Sequence, residues 1–175
     1  MERDSREGRA AERNEQRLQM INFTLGGDEY AVEIQKVREV INFRELTPLP
    51  KAPSFVKGII NLRGEVIPVI DLREKLGLAH EAYSALTNVI IVEIGRKAVG
   101  VVVDDVRHVI RLAPGEVAPS PPFIGGLSGK YVSGVAKIGE RLVVVLDMER
   151  ILSASEMIAL RSLPESAGAP EEARQ

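Results

Sequence analysis

Short apolar stretches, separated by turn residues, dominate the chain from residue 18 onward. Some alternate with polar residues, as in residues 20–25, and others are unbroken runs of β-branched residues, as in 99–103. Gly26-Gly27-Asp28 and Arg63-Gly64 separate such stretches, as in tight hairpins. Turn signals recur about every 8–12 residues, which is typical of small barrels. The pattern predicts an all-β fold of two small barrels with about five strands each.

The apolar pattern repeats along the chain. Residues 21–41 align without a gap on residues 90–110, and seven of these 21 positions are identical. A second pair of similar segments, 58–72 and 134–148, follows in the same order. The spacing exceeds that of solenoid repeats, so it predicts two structurally similar subdomains rather than an array.

A few segments depart from the strand pattern. The apolar residues between 34 and 41 suit either a helical turn or an irregular strand, and both interpretations stay open. Asp71 and Glu74 form a capping-box pattern, and Gly77 suits the end of a helix of one or two turns. The stretch 151–160 predicts the one longer helix, near the C-terminus of the folded part.

Both ends of the chain lack the apolar residues needed to pack. Residues 1–17 hold five acids and five arginines, and residues 162–175 are rich in Glu, Ala and Pro. Such segments cannot offset the entropy lost on ordering. We therefore expect flexible tails at 1–17 and 162–175 around a folded unit at 18–161, with repeat motifs that begin near residues 21 and 90.

Composition excludes several classes of protein. There is no cysteine, so disulfides, thiolate metal sites and cysteine nucleophiles are impossible. No apolar run approaches the length of about 18 residues that a membrane helix needs, and the N-terminus has no apolar signal-peptide core. A formal net charge of −2 provides no general attraction to nucleic acids. A soluble cytoplasmic protein, without a nucleic-acid partner or direct membrane insertion, is the expectation.

Candidate catalytic groups do not assemble. His80 and His108 have no partners at metal-ligand spacing. Asp104 and Asp105 are adjacent on a strand, so they face opposite sides, and we expect them to end the strand and cap the following turn. The stretch 125–130 lacks the first Gly and the final Ser or Thr of a phosphate loop. A small β-barrel enzyme and a nucleic-acid-binding barrel are therefore disfavoured, and no cofactor, metal or catalysis is expected.

Residues 55–73, FVKGIINLRGEVIPVIDLR, resemble the signature of the CheW-like domain family. The similarity continues in 23–34, 99–106 and 142–152, and covers about 20–160. The resemblance implies two five-stranded SH3-like barrels, packed together with a groove between them, with short helices and a C-terminal helix. It also implies a non-catalytic chemotaxis adaptor that couples methyl-accepting receptors to the CheA histidine kinase in a signalling array.

The resemblance also implies site residues. Receptor contacts would fall on Val37, Glu39, Gly58, Arg63, Gly100 and Val106. The two charged residues would supply ionic contacts, the valines would line an apolar groove, and the glycines would permit close backbone approach. Kinase-side contacts would fall near Val66 and Phe123.

The implied partners are the regulatory domain of CheA and the helical hairpin tips of the receptors. These partners would place the protein in the cytoplasm, at membrane-associated receptor arrays. Two alternatives stay open within this class, since the pathway could control flagella or another output such as surface motility. The charged segment 1–17 is not part of the family pattern, so its role is open.

Overall fold

The computed structural model describes residues 17–119 and 129–163. Within them the chain forms eleven strands: β1 Leu18–Leu25, β2 Asp28–Glu33, β3 Val37–Asn42, β4 Val56–Leu62, β5 Glu65–Asp71, β6 Asn88–Ile94, β7 Lys97–Val103, β8 Asp105–Leu112, β9 Val117–Ala118, β10 Val132–Ile138 and β11 Arg141–Leu146. The helices are α1 Leu72–Lys75 and α2 Ala154–Arg161, with 3-10 turns at Ile34–Lys36, Pro114–Glu116, Gly129–Tyr131 and Met148–Arg150. The all-β prediction is confirmed.

The strands form two sheets. Sheet A has the order β8-β1-β2-β11-β10-β9, and sheet B has the order β3-β6-β7-β5-β4. The two-residue strand β9 gives sheet A its sixth strand, by pairing Ala118 with Val135 of β10. In sheet B, a single bridge between Thr47 and Ile59 of β4 occupies the equivalent place. The sheets are consistent with the two predicted SH3-like barrels.

The structure confirms the internal repeat at the level of strand register. Hairpin β1–β2 places Ile21 opposite Val32, and hairpin β6–β7 places the repeat-equivalent Ile90 opposite Val101. Even the β-bulges correspond: the register shifts before Gly58 in β4 and before the equivalent glycine in β10. Two copies of one supersecondary plan therefore make up the fold.

The repeat halves do not fold side by side, however. Hairpin β1–β2 belongs to the first half but lies in sheet A, where β2 pairs in parallel with β11. Hairpin β6–β7 belongs to the second half but lies in sheet B, where β7 pairs in parallel with β5. The two halves exchange their hairpins, so each barrel needs strands from both halves of the chain.

Buried apolar residues form three clusters, because alternate residues of a strand face opposite sides of the sheet. One cluster lies inside each barrel. The third and largest, called here the between-barrel cluster, draws on both sheets and includes Phe23, Val32, Ile90 and Val101. Val32 and Val101 are fully buried, as the repeat predicts for equivalent core positions.

The irregular elements follow local chemistry. The segment between 34 and 41, which sequence left open, is a 3-10 turn followed by the bulged strand β3. Asp71 accepts a hydrogen bond from the Arg73 N–H and begins α1, and Gly77 follows the helix with a φ of 73°. Ser153 and Glu156 form a reciprocal capping box at the start of α2. The predicted short helix and C-terminal helix are both present.

Candidate functional site

Strand β3 forms one edge of sheet B and presents valines towards the between-barrel cluster. Val37 lies opposite Val92, and Val40 lies opposite Ile90. Residues that pair directly across strands project from the same face, and both partners belong to that cluster. Val37 and Val40 are only partly buried, because β3 has no strand on its outer side.

Strand β8 repeats this arrangement at the edge of sheet A. Val106 lies opposite Phe23, and Val109 lies opposite Ile21. Val106 is half-buried and packs against the between-barrel cluster, whereas Val109 is 51% exposed. The surface formed by Val37, Val40, Val106 and Val109 is called here the valine face.

The valine face consists of two pairs of repeat-equivalent residues. Val37 corresponds to Val106, and Val40 corresponds to Val109. The family resemblance implies the first pair as receptor contacts and does not include the second. The signal was present, since each pair is identical between the repeats and shares one face of its strand.

Asn88 joins the two edge strands. Its Oδ1 accepts a hydrogen bond from the Val106 N–H at 3.0 Å, and its Nδ2 donates to the Asn42 Oδ1 at 3.4 Å. Val37 lies opposite Val92, four residues or roughly 13 Å away along β6. Val37 and Val106 therefore lie beside different ends of β6.

Arg63 lies at the tip of hairpin β4–β5. Its φ is +54° and that of Gly64 is +88°, and the Asn61 Oδ1 accepts the Gly64 N–H at 2.9 Å. This is the left-handed two-residue turn that suits a hairpin. The Arg63 side chain is 70% exposed.

Arg63 and Glu39, both predicted as receptor contacts, form an ion pair with each other. The Arg63 Nη2 lies 2.6 Å and 2.8 Å from the two carboxylate oxygens of Glu39. Arg38 makes a parallel link to Glu65 at 2.8 Å. Both links join β3, at one edge of sheet B, to the hairpin at the other edge. The guanidinium retains further donors that a partner could bind.

Gly58 and Gly100 leave room for the chain's own packing. A Cβ on Gly58 would lie 2.8 Å from the Leu46 Cβ and 2.9 Å from the Thr47 carbonyl oxygen. A Cβ on Gly100 would lie 3.0 Å from Val89, inside the barrel of sheet B. These internal contacts differ from the close partner approach that the resemblance suggested as the reason for glycine.

We expect Gly58→Ala to lower the free energy of unfolding by about 1–3 kcal/mol, because the new methyl group overpacks the bridge to Thr47. Urea denaturation measures the change. Gly115→Ala is the control, since a Cβ there meets nothing within 4 Å. Equal stability of the two variants would contradict the close packing at Gly58.

The two residues predicted on the kinase side differ in where they lie. Val66 is buried, with 6% exposure, and lines a cleft between β5 and the start of β7. Phe123 lies outside the described residues.

Asp104 has a different role from the one predicted. It ends β7, but its carboxylate does not cap the following turn: its Oδ2 accepts the Gly26 N–H at 2.8 Å, and it pairs with Arg73. The hydrogen bond that the Arg73 guanidinium donates to Asp104 raises the pKa of Arg73 above its usual value. Asp105 pairs with Arg107 at 3.3 Å instead. Asp104 thus joins α1 to hairpin β1–β2.

Within 17–119 and 129–163, no three His, Asp or Glu side chains are grouped so that they could hold a metal ion. No helix in these ranges has the length and apolar character that crossing a membrane requires.

Comparison with known proteins identifies the family. The model of the CheW-like domain matches residues 19–156, which is most of the chain. The chain belongs to the CheW-like domain family. It is 38% identical over 144 residues to the chemotaxis protein CheW of Klebsiella aerogenes, covering 82% of this chain and 87% of that protein. It is 30% identical over 154 residues to the Treponema pallidum CheW, covering 86% and 91%.

A solved structure extends the CheW-like similarity to the fold. The crystal structure of the scaffolding protein TtCheW from Thermoanaerobacter tengcongensis superposes with a TM-score of 0.75 at 32% identity. It covers 81% of this chain and 98% of that one. The predicted family membership is confirmed, and this CheW-like chain is a chemotaxis scaffold.

Proposed function

We propose that this chain couples methyl-accepting chemotaxis receptors to the CheA histidine kinase, as an adaptor without catalytic activity. Membership of the CheW-like family and similarity to a scaffolding protein support this function. The observation that carries it is the valine face, where the edge strands β3 and β8 leave partly exposed valines over the between-barrel cluster. We place the chain in the cytoplasm, at receptor arrays.

The valine face suits a helix of a receptor tip. An amphipathic helix binds a groove through apolar residues spaced along one face, with charges at the margin. Val37 and Val40 provide apolar contacts on β3, and Val106 and Val109 provide them on β8. Glu39 lies on β3 opposite Ile91, so it projects from the other face of the strand, where it binds Arg63 of hairpin β4–β5. We assign receptor binding to this set.

Gly58 and Gly100 contribute to receptor binding through the position of the strands. Gly58 lets the segment at Thr47 approach β4. Gly100, on β7, leaves room for the side chains of Val89 and Val69 inside the barrel of sheet B. Substitution of either residue would move neighbouring strands of the sheet that carries Val37 and Glu39. Kinase binding is assigned to the region of Val66, together with Phe123.

Reconstitution of the complex tests the proposed function. Receptor-containing membranes, CheA and this protein, all from one organism, are mixed and sedimented. We expect CheA to sediment with the membranes, and its autophosphorylation to rise, only when this protein is present. Sedimentation of CheA to the same extent without it would refute the proposed coupling.

We also propose that residues 18–161 form a unit that folds independently of both tails. Removal of residues 1–16 is expected to leave the melting temperature nearly unchanged, because the segment lacks apolar side chains that could pack. Differential scanning calorimetry of full-length and trimmed protein measures the difference. A fall of more than several degrees would show that the tail packs on the barrels.

A further inference from the structure

The pairing between the parallel strands β5 and β7 begins further along the strands than the equivalent pairing in sheet A. In sheet B the ladder starts at Val69 and Gly100. In sheet A the equivalent pair, β11–β2, starts two residues earlier, at Val143 and Glu29. The two repeats share one plan, so this difference needs a local cause.

Pro68 supplies that cause. In a two-residue hairpin the flanking pair Leu62 and Glu65 is hydrogen-bonded, so the backbone of Val66 and Pro68 faces away from β4, towards β7. Proline has no N–H to donate to that neighbour. The equivalent residue in sheet A is Val144, which can donate and which lies within its ladder. The strands of sheet B therefore separate before Val69.

A cleft of about 220 Å³ occupies this separation, and it is called here the Lys97 cleft. Its lining is Glu65, Val66, Arg96, Lys97 and Ala98. Val66 and Ala98 are buried, with 6% and 5% exposure, and provide an apolar floor. The charged residues form the walls.

Lys97 is 91% buried as a residue, but its ammonium group reaches the surface of the cleft and makes no ion pair or hydrogen bond within residues 17–119 and 129–163. Glu65 lies on the opposite wall, but its carboxylate is bound by Arg38 at 2.8 Å. Arg38 also holds Glu93 at 2.9 Å. The nearby carboxylates are thus occupied, and Lys97 and Arg96 leave the cleft with positive charge.

In sheet A, the place that corresponds to the Lys97 cleft holds an ion pair formed by the chain itself. There Arg141 of β11, the counterpart of Glu65, pairs with Glu29 of β2 at 3.0 Å. Glu29 is the counterpart of Ala98 in the repeat. In sheet A a carboxylate on the neighbouring strand binds the cation, whereas in sheet B the carboxylate on the neighbouring strand, Glu65, binds Arg38 instead.

We propose that the Lys97 cleft receives a carboxylate side chain from the regulatory domain of the kinase. This inference rests on the proposed function, which places kinase binding near Val66. The ammonium of Lys97 binds the carboxylate, the exposed Arg96 adds a second cation at the rim, and Val66 and Ala98 pack against the apolar part of the incoming side chain. A glutamate or aspartate fits a cleft whose accessible lining is mostly polar and carries a positive charge.

Lys97→Met tests the proposal, because methionine keeps an unbranched apolar stem in the buried space and removes only the charge. We expect its affinity for the kinase regulatory domain to fall about tenfold. The melting temperature should be unchanged or slightly higher, since no internal ion pair is lost. Lys137→Met, at an exposed position of β10, is the matched control and should bind as the wild type does.

Arg96→Asn is the second variant, at an exposed turn position where φ is +68° and asparagine is tolerated. We expect a loss of about threefold for the kinase domain. Titration of both variants against a receptor fragment should show wild-type affinity. Binding of the kinase domain also should depend less steeply on salt concentration in Lys97→Met than in the wild type.

Unchanged kinase affinity in both variants would overturn the proposal, while leaving the proposed function intact if the wild type binds both partners. A fall in melting temperature for Lys97→Met would likewise overturn it, by showing an internal role for the charge. Failure of the wild type to bind either partner would instead refute the proposed function itself.

Discussion

Val101→Asp is expected to prevent the chain from folding. Val101 is fully buried in the between-barrel cluster, in the middle of β7, and it has paired strands on both sides. Loss of the apolar side chain costs about 2 kcal/mol. A buried carboxyl must be protonated, and raising its pKa by about 3 units to reach neutral pH costs roughly 4 kcal/mol more. The sum is comparable with the whole stability of a typical domain, about 5–15 kcal/mol.

Far-UV circular dichroism and soluble yield measure this effect. Val32→Asp should behave in the same way, because Val32 is the repeat-equivalent residue and is equally buried. Val109→Asp is the matched control: the same substitution at a position that is 51% exposed should leave the protein folded. A soluble, cooperatively folded Val101→Asp protein would contradict the strand register of β7.

Much of the local structure could be predicted from sequence, because it depends on neighbouring residues. Alternation of apolar residues set the faces of β1, and Gly26-Gly27 adopts the left-handed conformations that its turn requires. The repeat correctly paired Val32 with Val101 as buried positions. Each of these inferences needs only residues that lie close together in sequence, or a comparison of the two repeats.

The exchange of hairpins could not be predicted in this way. Alternation specifies which face of a strand is buried, but it does not specify the neighbouring strand. Hairpin β1–β2 carries the same pattern whether it joins sheet A or sheet B. The choice depends on the 3-10 turn at Ile34–Lys36 and on Asp104, which redirect the chain from one sheet to the other. Sequence left the first of these segments open between a helical turn and a strand.

In the candidate site, too, some features could be predicted from sequence and others depend on the three-dimensional structure. The valines of the face could be found from the repeat, since they are identical and share a strand face. The ion pair between Arg63 and Glu39 could not, because it joins the two edges of sheet B. The charge of Lys97 is apparent in sequence, but its lack of a partner depends on Arg38 binding Glu65. Such competition among charges depends on the three-dimensional arrangement.

Arg63→Ala is expected to weaken receptor binding at least tenfold and to leave kinase binding unchanged. The Arg63 side chain is 70% exposed, so its ion pair with Glu39 contributes at most about 1 kcal/mol to folding. Alanine carries a Cβ as arginine does, so the strain at φ +54° is similar. In a desolvated contact with a receptor carboxylate, the same guanidinium contributes roughly 2–5 kcal/mol. The effect should therefore be selective for the receptor.

Titration against a receptor fragment and the kinase regulatory domain, separately, measures that selectivity. Arg63→Lys should recover only part of the affinity, because an ammonium cannot bind a carboxylate through a bidentate fork. Arg150→Ala, which also removes an exposed ion pair, is the control and should bind both partners normally. Equal loss at both partners would indicate damage to the fold. If Arg63→Ala binds the receptor fragment with wild-type affinity, Arg63 is only a solvated turn residue. The assignment of the receptor site to this hairpin would then be wrong.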